Sequence, residues 1–157
     1  MKLYKIISGG QTGADITGLE CARALGLETG GSIPKGFRTD VGNKPSFGKI
    51  YGLVETPEYG YLPRTMLNVM RSDATLWFGD VSSPGGKATT KFCKIYGRPM
   101  ILNIVDMRPY AELYGVINIA GNRQRTNPDV VQQVKDAFAT LKLHPDAYVV
   151  YKEYKYK

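Results

Sequence analysis

Residues 8–15, with the sequence SGGQTGAD, constrain the fold of this chain more than any other stretch. They follow a short apolar run at residues 3–7 and open a segment in which apolar residues recur every three to four positions. This order predicts a strand, a glycine-rich turn and a helix. Glycine lets backbone pass close to a ligand, and free N–H groups at a helix start favour anions. A tight turn without a ligand would explain the glycines, but it would require neither Gln11 nor Thr12.

The stretch differs from the common nucleotide-binding motifs. Its G-G-x-x-G spacing is not the G-x-G-x-x-G dinucleotide fingerprint, and no acidic residue ends a second strand about 20 residues further on. No Gly-Lys-Ser or Gly-Lys-Thr follows the glycines, which excludes a Walker A loop.

Two later apolar runs are also followed by polar, glycine-bearing loops, at residues 79–86 and 121–126. The alternation of strand and helix patterns predicts an α/β, Rossmann-like fold with a mostly parallel sheet and helices on both faces. In such a fold right-handed crossovers bring these loops to the carboxyl edge of the sheet, where ligands bind. The sequence therefore predicts one composite anion or nucleotide pocket.

The boundaries of the elements follow from apolar periodicity and turn residues. Strands are predicted at 28–33, 74–78, 100–105 and 116–120, and helices at 14–25, 62–71, 87–96, 109–114 and from 128 onward. We predict a polar loop at 34–40 and irregular structure at 46–61, which contains three glycines and a proline. One domain over 1–157 is expected, with 146–157 as a C-terminal strand or tail.

Composition narrows the class of protein. The net charge of +7 at pH 7 favours anionic ligands, and no apolar run is long enough for a membrane span. The first residues lack the features of a signal peptide, and Cys21 and Cys93 fall on predicted helices as buried thiols. Both observations fit a cytoplasmic protein. One histidine, His144, and two distant cysteines offer little for a zinc site.

Several motifs resemble the molybdenum-cofactor carrier family, the circularly permuted YpsA-like branch of the SLOG superfamily. Residues 8–15 are similar to its opening signature, and motifs within 29–36 and 55–75 to its second and third blocks. The glycine pair at 85–86 and residues 118–121 are similar to the fourth and fifth. The resemblance implies a Rossmann-like fold, self-association as a dimer or tetramer, and binding of a phosphate-bearing pterin or nucleotide derivative.

The binding residues are predicted from these blocks. Glycine N–H groups would bind phosphate, cations would supply charge, and polar side chains would form directional hydrogen bonds. The predicted set is Gly9, Gly10, Gln11, Thr12, Gly13, Lys35, Arg64, Asn68, Gly85, Gly86, Lys87, Thr90, Gly121 and Asn122. At Gly10 and Gly86, where backbone would approach the ligand, a valine is expected to abolish binding and leave the protein folded.

The favoured function is a non-enzymatic protein that carries or sequesters a phosphorylated small molecule, either a molybdenum cofactor or a nucleotide-derived signal. No cofactor is expected to be tightly required. Related SLOG phosphoribohydrolases place a catalytic glutamate where this chain has Phe92, which we expect to pack against the sheet with Ala88 and Ile95. Asp15 is the best-placed substitute, but we expect the start of its helix to stabilise the ionised carboxylate.

Two alternatives remain open. A nucleotide-processing hydrolase would need a carboxylate near the phosphate loops, and turnover of nucleoside monophosphates would reveal it. Its candidate carboxylates are Asp15, Glu20, Glu55 and Asp73. A single-stranded nucleic-acid binder would use the net charge and the tyrosines and lysines of 151–157, although an edge strand or a subunit contact explains that tail better. A salt-dependent shift of a labelled oligonucleotide would support nucleic-acid binding.

Overall fold

The computed structural model describes residues 1–143. In chain order the strands are β1 (Lys5–Ile7), β2 (Glu28–Ile33), β3 (Arg38–Thr39), β4 (Gly42–Asn43), β5 (Leu53–Glu55), β6 (Ala74–Phe78), β7 (Met100–Leu102) and β8 (Val116–Gly121). The helices are α1 (Ala14–Ala24), α2 (Ser46–Tyr51), α3 (Tyr61–Met70), α4 (Pro84–Tyr96), α5 (Arg108–Leu113) and α6 (Asp129–Leu143).

Six strands form one parallel sheet in the order β5-β2-β1-β8-β6-β7, and β3 and β4 form a separate antiparallel pair. Within the sheet β1 lies between β2 and β8, so that Lys5 is opposite both Glu28 and Val116. Parallel neighbours need crossover connections, which helices commonly supply. The parallel sheet with packed helices confirms the predicted α/β, Rossmann-like fold.

One face of the sheet holds the larger part of the apolar core. Helix α1 packs against α6 and β8 on this face. Gly18 permits the close approach, because an added Cβ would lie 2.8 Å from Ile119 Cγ2. The buried cluster includes Ile6, Leu76, Phe78, Ile117, Ile119, Val130 and Val134.

The opposite face is more polar where it meets α3 and α4, which pack against each other. Successive side chains of a strand point to opposite faces of the sheet. Leu76 therefore points to the apolar face, and Thr75 and Trp77 point to the other. Asn118 lies on the same side, where its Nδ2 donates to Thr75 Oγ1 at 3.1 Å. A polar layer therefore underlies the carboxyl edge of the sheet.

Short elements occupy segments for which the sequence predicts loops. Helix α2 and strand β5 lie within 46–61, and β3 falls within 34–40. Tyr51 of α2 and Leu53 of β5 are their buried apolar residues, which is too few to produce a periodic signal. Strand β5 is nevertheless an edge of the sheet, paired with β2.

Three predicted details on the β7 side of the sheet are corrected. Helix α4 begins at Pro84, not at 87, because Ser83 caps it and proline suits the first helical position. Strand β7 ends at Leu102, not at 105, because Asn103 has a φ of 49° and its side chain bonds to Gly79. Ile95 is 58% exposed, so its predicted packing against the sheet is wrong.

The remaining predictions about the chain have mixed outcomes. Cys93 is buried, and burial raises the pKa of its thiol, whereas Cys21 is half-buried. No helix within 1–143 has the length and apolar character needed to cross a membrane. The strand or tail predicted at 146–157 lies outside the described residues, as does His144.

Candidate functional site

A cavity of about 690 Å³ opens at the carboxyl edge of the sheet. The loops after β1, β6 and β8 line it, together with residues of α3 and α4. All three glycine-bearing loops of the sequence therefore contribute to one cavity. Its volume lies in the range of sites for small molecules.

Gln11, in the loop after β1, lines this cavity and carries a buried hydrogen-bond donor without a partner within residues 1–143. Its Oε1 accepts the N–H groups of Thr12 at 3.2 Å and Asp40 at 2.8 Å, which fixes the orientation of the amide. The side chain is buried, and within residues 1–143 its Nε2 has no hydrogen-bond partner. A buried donor without an acceptor is costly, which favours an acceptor from a bound molecule.

Asp15, in the first turn of α1, forms an ion pair with Arg64 of α3 in the cavity wall. The distance from Arg64 Nη1 to Asp15 Oδ2 is 3.0 Å, and the N–H of Gln11 also donates to Oδ2 at 3.3 Å. Burial raises the pKa of Asp15, because the loss of hydration outweighs the lowering by the Arg64 charge. Backbone N–H groups at the helix start do lower the pKa of Asp15, as expected, but burial outweighs them.

Three guanidinium groups surround the ring of Tyr61 at the start of α3. The distances from Cζ to the ring centroid are 5.1 Å for Arg38, 5.3 Å for Arg64 and 4.9 Å for Arg123. Arg64 is paired with Asp15, but within residues 1–143 Arg38 and Arg123 form no ion pair. Tyr61, Arg64 and Arg123 line the cavity and Arg38 does not, so Arg123 brings to this wall a positive charge that has no ion-pair partner within residues 1–143.

The start of α4 supplies backbone donors on another part of the lining. Ser83 Oγ accepts the Gly86 N–H at 3.2 Å and so caps the helix. Gly85, the second helical residue, keeps an N–H group without an intrahelical acceptor. A Cβ added to Gly85 would have Trp77 Cη2 as its nearest atom, at 3.8 Å, so the space beside it is open. Hydrogen bonds from Ser82 lower the pKa of Asp80 in the same loop.

Two buried asparagines hold the walls of the cavity together. Asn122 Oδ1 accepts the Asp80 N–H at 2.6 Å, and its Nδ2 donates to Ser83 Oγ at 3.2 Å. Asn68 Oδ1 accepts the Ser32 N–H at 2.8 Å, and its Nδ2 donates to the Ser32 carbonyl at 3.1 Å. Because their amides bond to protein groups, these residues position the lining.

The structure brings half of the predicted binding residues to the cavity. These are Gly9, Gln11, Arg64, Asn68, Gly85, Gly121 and Asn122. The other half lies outside the lining: Gly10, Thr12, Gly13, Lys35, Gly86, Lys87 and Thr90. Among these, the Thr12 hydroxyl donates to Asp40 Oδ1 at 2.9 Å, and Lys35 Nζ lies 5.0 Å from the centroid of the Tyr59 ring.

At Gly10 and Gly86 the absence of a side chain makes room for neighbouring atoms of the protein and not for a ligand. A Cβ at Gly10 would lie 2.7 Å from Leu53 Cδ1, and the residue has a φ of 72° that disfavours side chains. A Cβ at Gly86 would collide with the carbonyl oxygen of Val81. Valine at either position would therefore disturb the fold, and the expectation that these variants stay folded is corrected. Gly85 is the glycine whose substituent would enter the cavity.

Several lining residues were not predicted from the sequence: Tyr61, Thr65, Trp77, Asp80, Ser83, Thr89, Asn118, Arg123, Thr126 and Asn127. A signal existed for Asp80 and Arg123, because both lie in polar loops that directly follow predicted strands. Tyr61 had no local signal, because Arg38 and Arg123 reach its ring from distant parts of the chain.

Two curated relatives are much longer than this chain. It is 33% identical over 144 residues to a Glutamyl-tRNA(Gln) amidotransferase subunit from Cenarchaeum symbiosum (strain A), which covers 85% of this chain and 28% of that protein. It is 38% identical over 91 residues to the protein of the same name from Solidesulfovibrio magneticus, which covers 53% of this chain and 17% of that protein. The chain thus spans less than a third of either relative.

A solved structure and a family match also cover most of the chain, and the solved structure is similar to it in length. The crystal structure named "Putative molybdenum carrier protein", from Syntrophus aciditrophicus SB, is 31% identical, with a TM-score of 0.77 over 88% of this chain and 94% of that chain. The Circularly permutated YpsA SLOG family matches residues 6–142, which include the whole sheet except Lys5 and the whole cavity lining. This chain belongs to the circularly permutated YpsA SLOG family.

Proposed function

We propose that this protein carries or sequesters a phosphorylated small molecule in the cavity without converting it. The ligand is a molybdenum cofactor or a nucleotide-derived compound. One observation carries the proposal: the N-terminus of α4 at Gly85 and the guanidinium groups of Arg64 and Arg123 line the same cavity. Helix starts and guanidinium groups both favour phosphate.

Gln11 supports the same conclusion. Its unpartnered Nε2 costs the protein about 1–3 kcal/mol while it stays buried. A phosphate or carbonyl oxygen of a ligand would satisfy that donor. The solved relative is named as a molybdenum carrier, which agrees with a binding role. The amidotransferase names of the longer relatives do not enter the proposal, because the chain spans less than a third of either protein.

Two side chains, Phe92 and Asp15, bear on the proposal of binding without turnover. Phe92 is half-buried in α4, and its ring cannot exchange a proton. Asp15 lines the cavity and has a raised pKa, which suits acid–base chemistry. Its Oδ2, however, already accepts hydrogen bonds from Arg64 and from the Gln11 N–H. These bonds give the carboxyl group a structural role that explains its burial.

Mass spectrometry of small molecules released from the purified, heat-denatured protein tests the ligand class. We expect a compound that contains phosphorus. A bound compound without phosphate would contradict the proposal, because the donors of the cavity would then serve another group.

A second experiment separates the binder from the hydrolase. The protein is incubated for a long time with adenosine monophosphate, other nucleoside monophosphates and cyclic nucleotides, and the products are resolved by chromatography. We expect unchanged nucleotides. Release of free base or ribose phosphate at an enzymatic rate, and its loss in Asp15→Asn, would establish turnover and overturn the binding role.

A further inference from the structure

We propose that the Tyr61 cluster, defined as Tyr61 with Arg38, Arg64 and Arg123, is a second anion subsite, so that the ligand carries two phosphoryl groups. This inference rests on the proposed function, because it assigns the second group of the same phosphorylated ligand. The first phosphoryl group binds at the start of α4, and the second binds at the arginines.

The three cations of the cluster have fewer anionic partners within residues 1–143 than their charge requires. Three guanidinium groups lie within 5.3 Å of one ring centroid and repel one another. Asp15 compensates Arg64, but no carboxylate within residues 1–143 pairs with Arg38 or Arg123. The ring contributes only about 0.5–1 kcal/mol to each exposed cation. A bound anion would supply the two missing negative charges.

The arginines come from three separate segments of the chain. Arg38 belongs to β3, Arg64 to α3, and Arg123 to the loop after β8. The Arg123 carbonyl accepts the Asn127 N–H at 3.0 Å, and Arg38 Nη1 donates to the Tyr59 carbonyl at 3.2 Å. The bond of Arg38 holds its guanidinium group, and the bond of Arg123 fixes the backbone that carries its side chain, which lowers the entropic cost of binding.

A free donor of the cluster also needs an acceptor. Arg64 Nε is buried and has no hydrogen-bond partner in the described part of the chain, while Arg64 Nη1 is occupied by Asp15. Guanidinium groups bind phosphate through several N–H groups at once. Phosphate oxygens at the cluster would satisfy Arg64 Nε and engage Arg38 and Arg123.

Calorimetric titration with matched probes tests the second subsite. The probes are inorganic phosphate and pyrophosphate, and adenosine 5′-monophosphate, 5′-diphosphate and 3′,5′-bisphosphate. We expect at least one two-phosphate probe to bind about tenfold or more tightly than its one-phosphate counterpart, because hydrogen bonds to charged groups are strong. The diphosphate and bisphosphate arms show whether the two groups are joined or separate.

Variants test which residues cause the preference for two phosphates. Arg38→Gln and Arg123→Gln should each remove most of the preference for two phosphates. Arg38 does not line the cavity, so Arg38→Gln should also leave the affinity for one-phosphate probes nearly unchanged. Arg125→Gln is the matched control, because Arg125 is exposed in the same loop and does not line the cavity. Tyr61 is a positioning residue: Tyr61→Leu should lose the preference, and Tyr61→Phe should keep it, because an aromatic face suffices.

The outcomes distinguish this inference from the proposed function. Equal affinity for one-phosphate and two-phosphate probes would overturn the second subsite and leave the phosphate-binding cavity intact. A preference that survives in both arginine variants would also overturn it. If no phosphorylated probe binds, the proposed function itself is contradicted.

Discussion

Asp15 and Arg64 set the electrostatics of the cavity wall. Their side chains are 5% and 14% exposed, and each charge is compensated mainly by the other. Removal of one partner of a buried pair leaves an unpaired charge. We expect Arg64→Met to lower the free energy of unfolding at pH 7 by about 3 kcal/mol, and Asp15→Asn in the same chain to restore part of it. Urea denaturation measures both changes.

The loss of stability in Arg64→Met should depend on pH in a definite direction. Loss of Arg64 removes the charge that lowers the pKa of Asp15, so the already raised pKa rises further. A carboxyl group with a raised folded-state pKa loses stabilising free energy as the pH rises from its unfolded value of 3.8 through the folded value. The loss of unfolding free energy in Arg64→Met should therefore become smaller as the pH falls towards 3.8. A defect that is constant with pH would refute this role of the pair.

Single residues were predictable where local sequence determined their position. Gln11 and Gly85 lie in glycine loops after strands, and both line the cavity. Thr12 lies beside Gln11 in the same loop, but its hydroxyl donates to Asp40 instead. Sequence alone could not separate neighbours in one loop, because the direction of each side chain depends on turn geometry and on partners far along the chain.

Two loops at the carboxyl edge, one after β6 and one after β8, are joined by Asn122. Its amide bonds to the Asp80 N–H and to Ser83 Oγ, which also caps α4. We expect Asn122→Ala to lower the free energy of unfolding by about 2 kcal/mol, because buried partners lose their bonds. Gln124→Ala is the control, since Gln124 is exposed in the same loop. Equal losses in the two variants by denaturant titration would contradict the joining role.

The longer elements were predictable and the shorter ones were not. Strand β6 is a continuously buried run that is apolar except at Thr75, and α6 has apolar residues at helical spacing, so the apolar pattern identifies both. The hairpin of β3 and β4 has two residues in each strand, and β5 has three. Such elements depend on tertiary contacts, for example the pairing of β5 with β2, which no local pattern reports.

The parallel order of the six strands explains why distant segments form one cavity. Each loop after a strand emerges at the same edge, which is why the sequence could predict a composite pocket before its lining was known. The positive cluster at Tyr61 required the structure, because its three arginines are brought together only by the assembled sheet and helices.

We further propose that the whole molecule self-associates. Apolar side chains are exposed at both edges of the sheet, on Val54 of β5 and Leu102 of β7, and edge strands also present unpaired backbone groups. The expected assembly is a dimer or a tetramer of the 17.4 kDa chain. Light scattering at micromolar concentration should report two or four times that mass. A one-chain mass would contradict self-association.

Two glycine substitutions form a matched pair that tests whether the phosphorylated ligand binds in the cavity. Gly85→Leu would place a side chain into the cavity, where no atom lies closer than 3.8 Å to the new Cβ. Gly60→Leu is the control, because a Cβ at Gly60 meets nothing within 4 Å and Gly60 does not line the cavity. Both variants are expected to fold.

The most direct measurement is the melting temperature of the unmodified protein, Gly85→Leu and Gly60→Leu. Each is measured with phosphorylated nucleotides or pterins and with the same compounds after dephosphorylation. A ligand that binds only the folded state raises the melting temperature. We predict that the phosphorylated compound raises it in the unmodified protein and in Gly60→Leu, and that Gly85→Leu shows almost no shift. Equal shifts from the phosphorylated and dephosphorylated forms, or a full shift in Gly85→Leu, would contradict a phosphate-centred cavity.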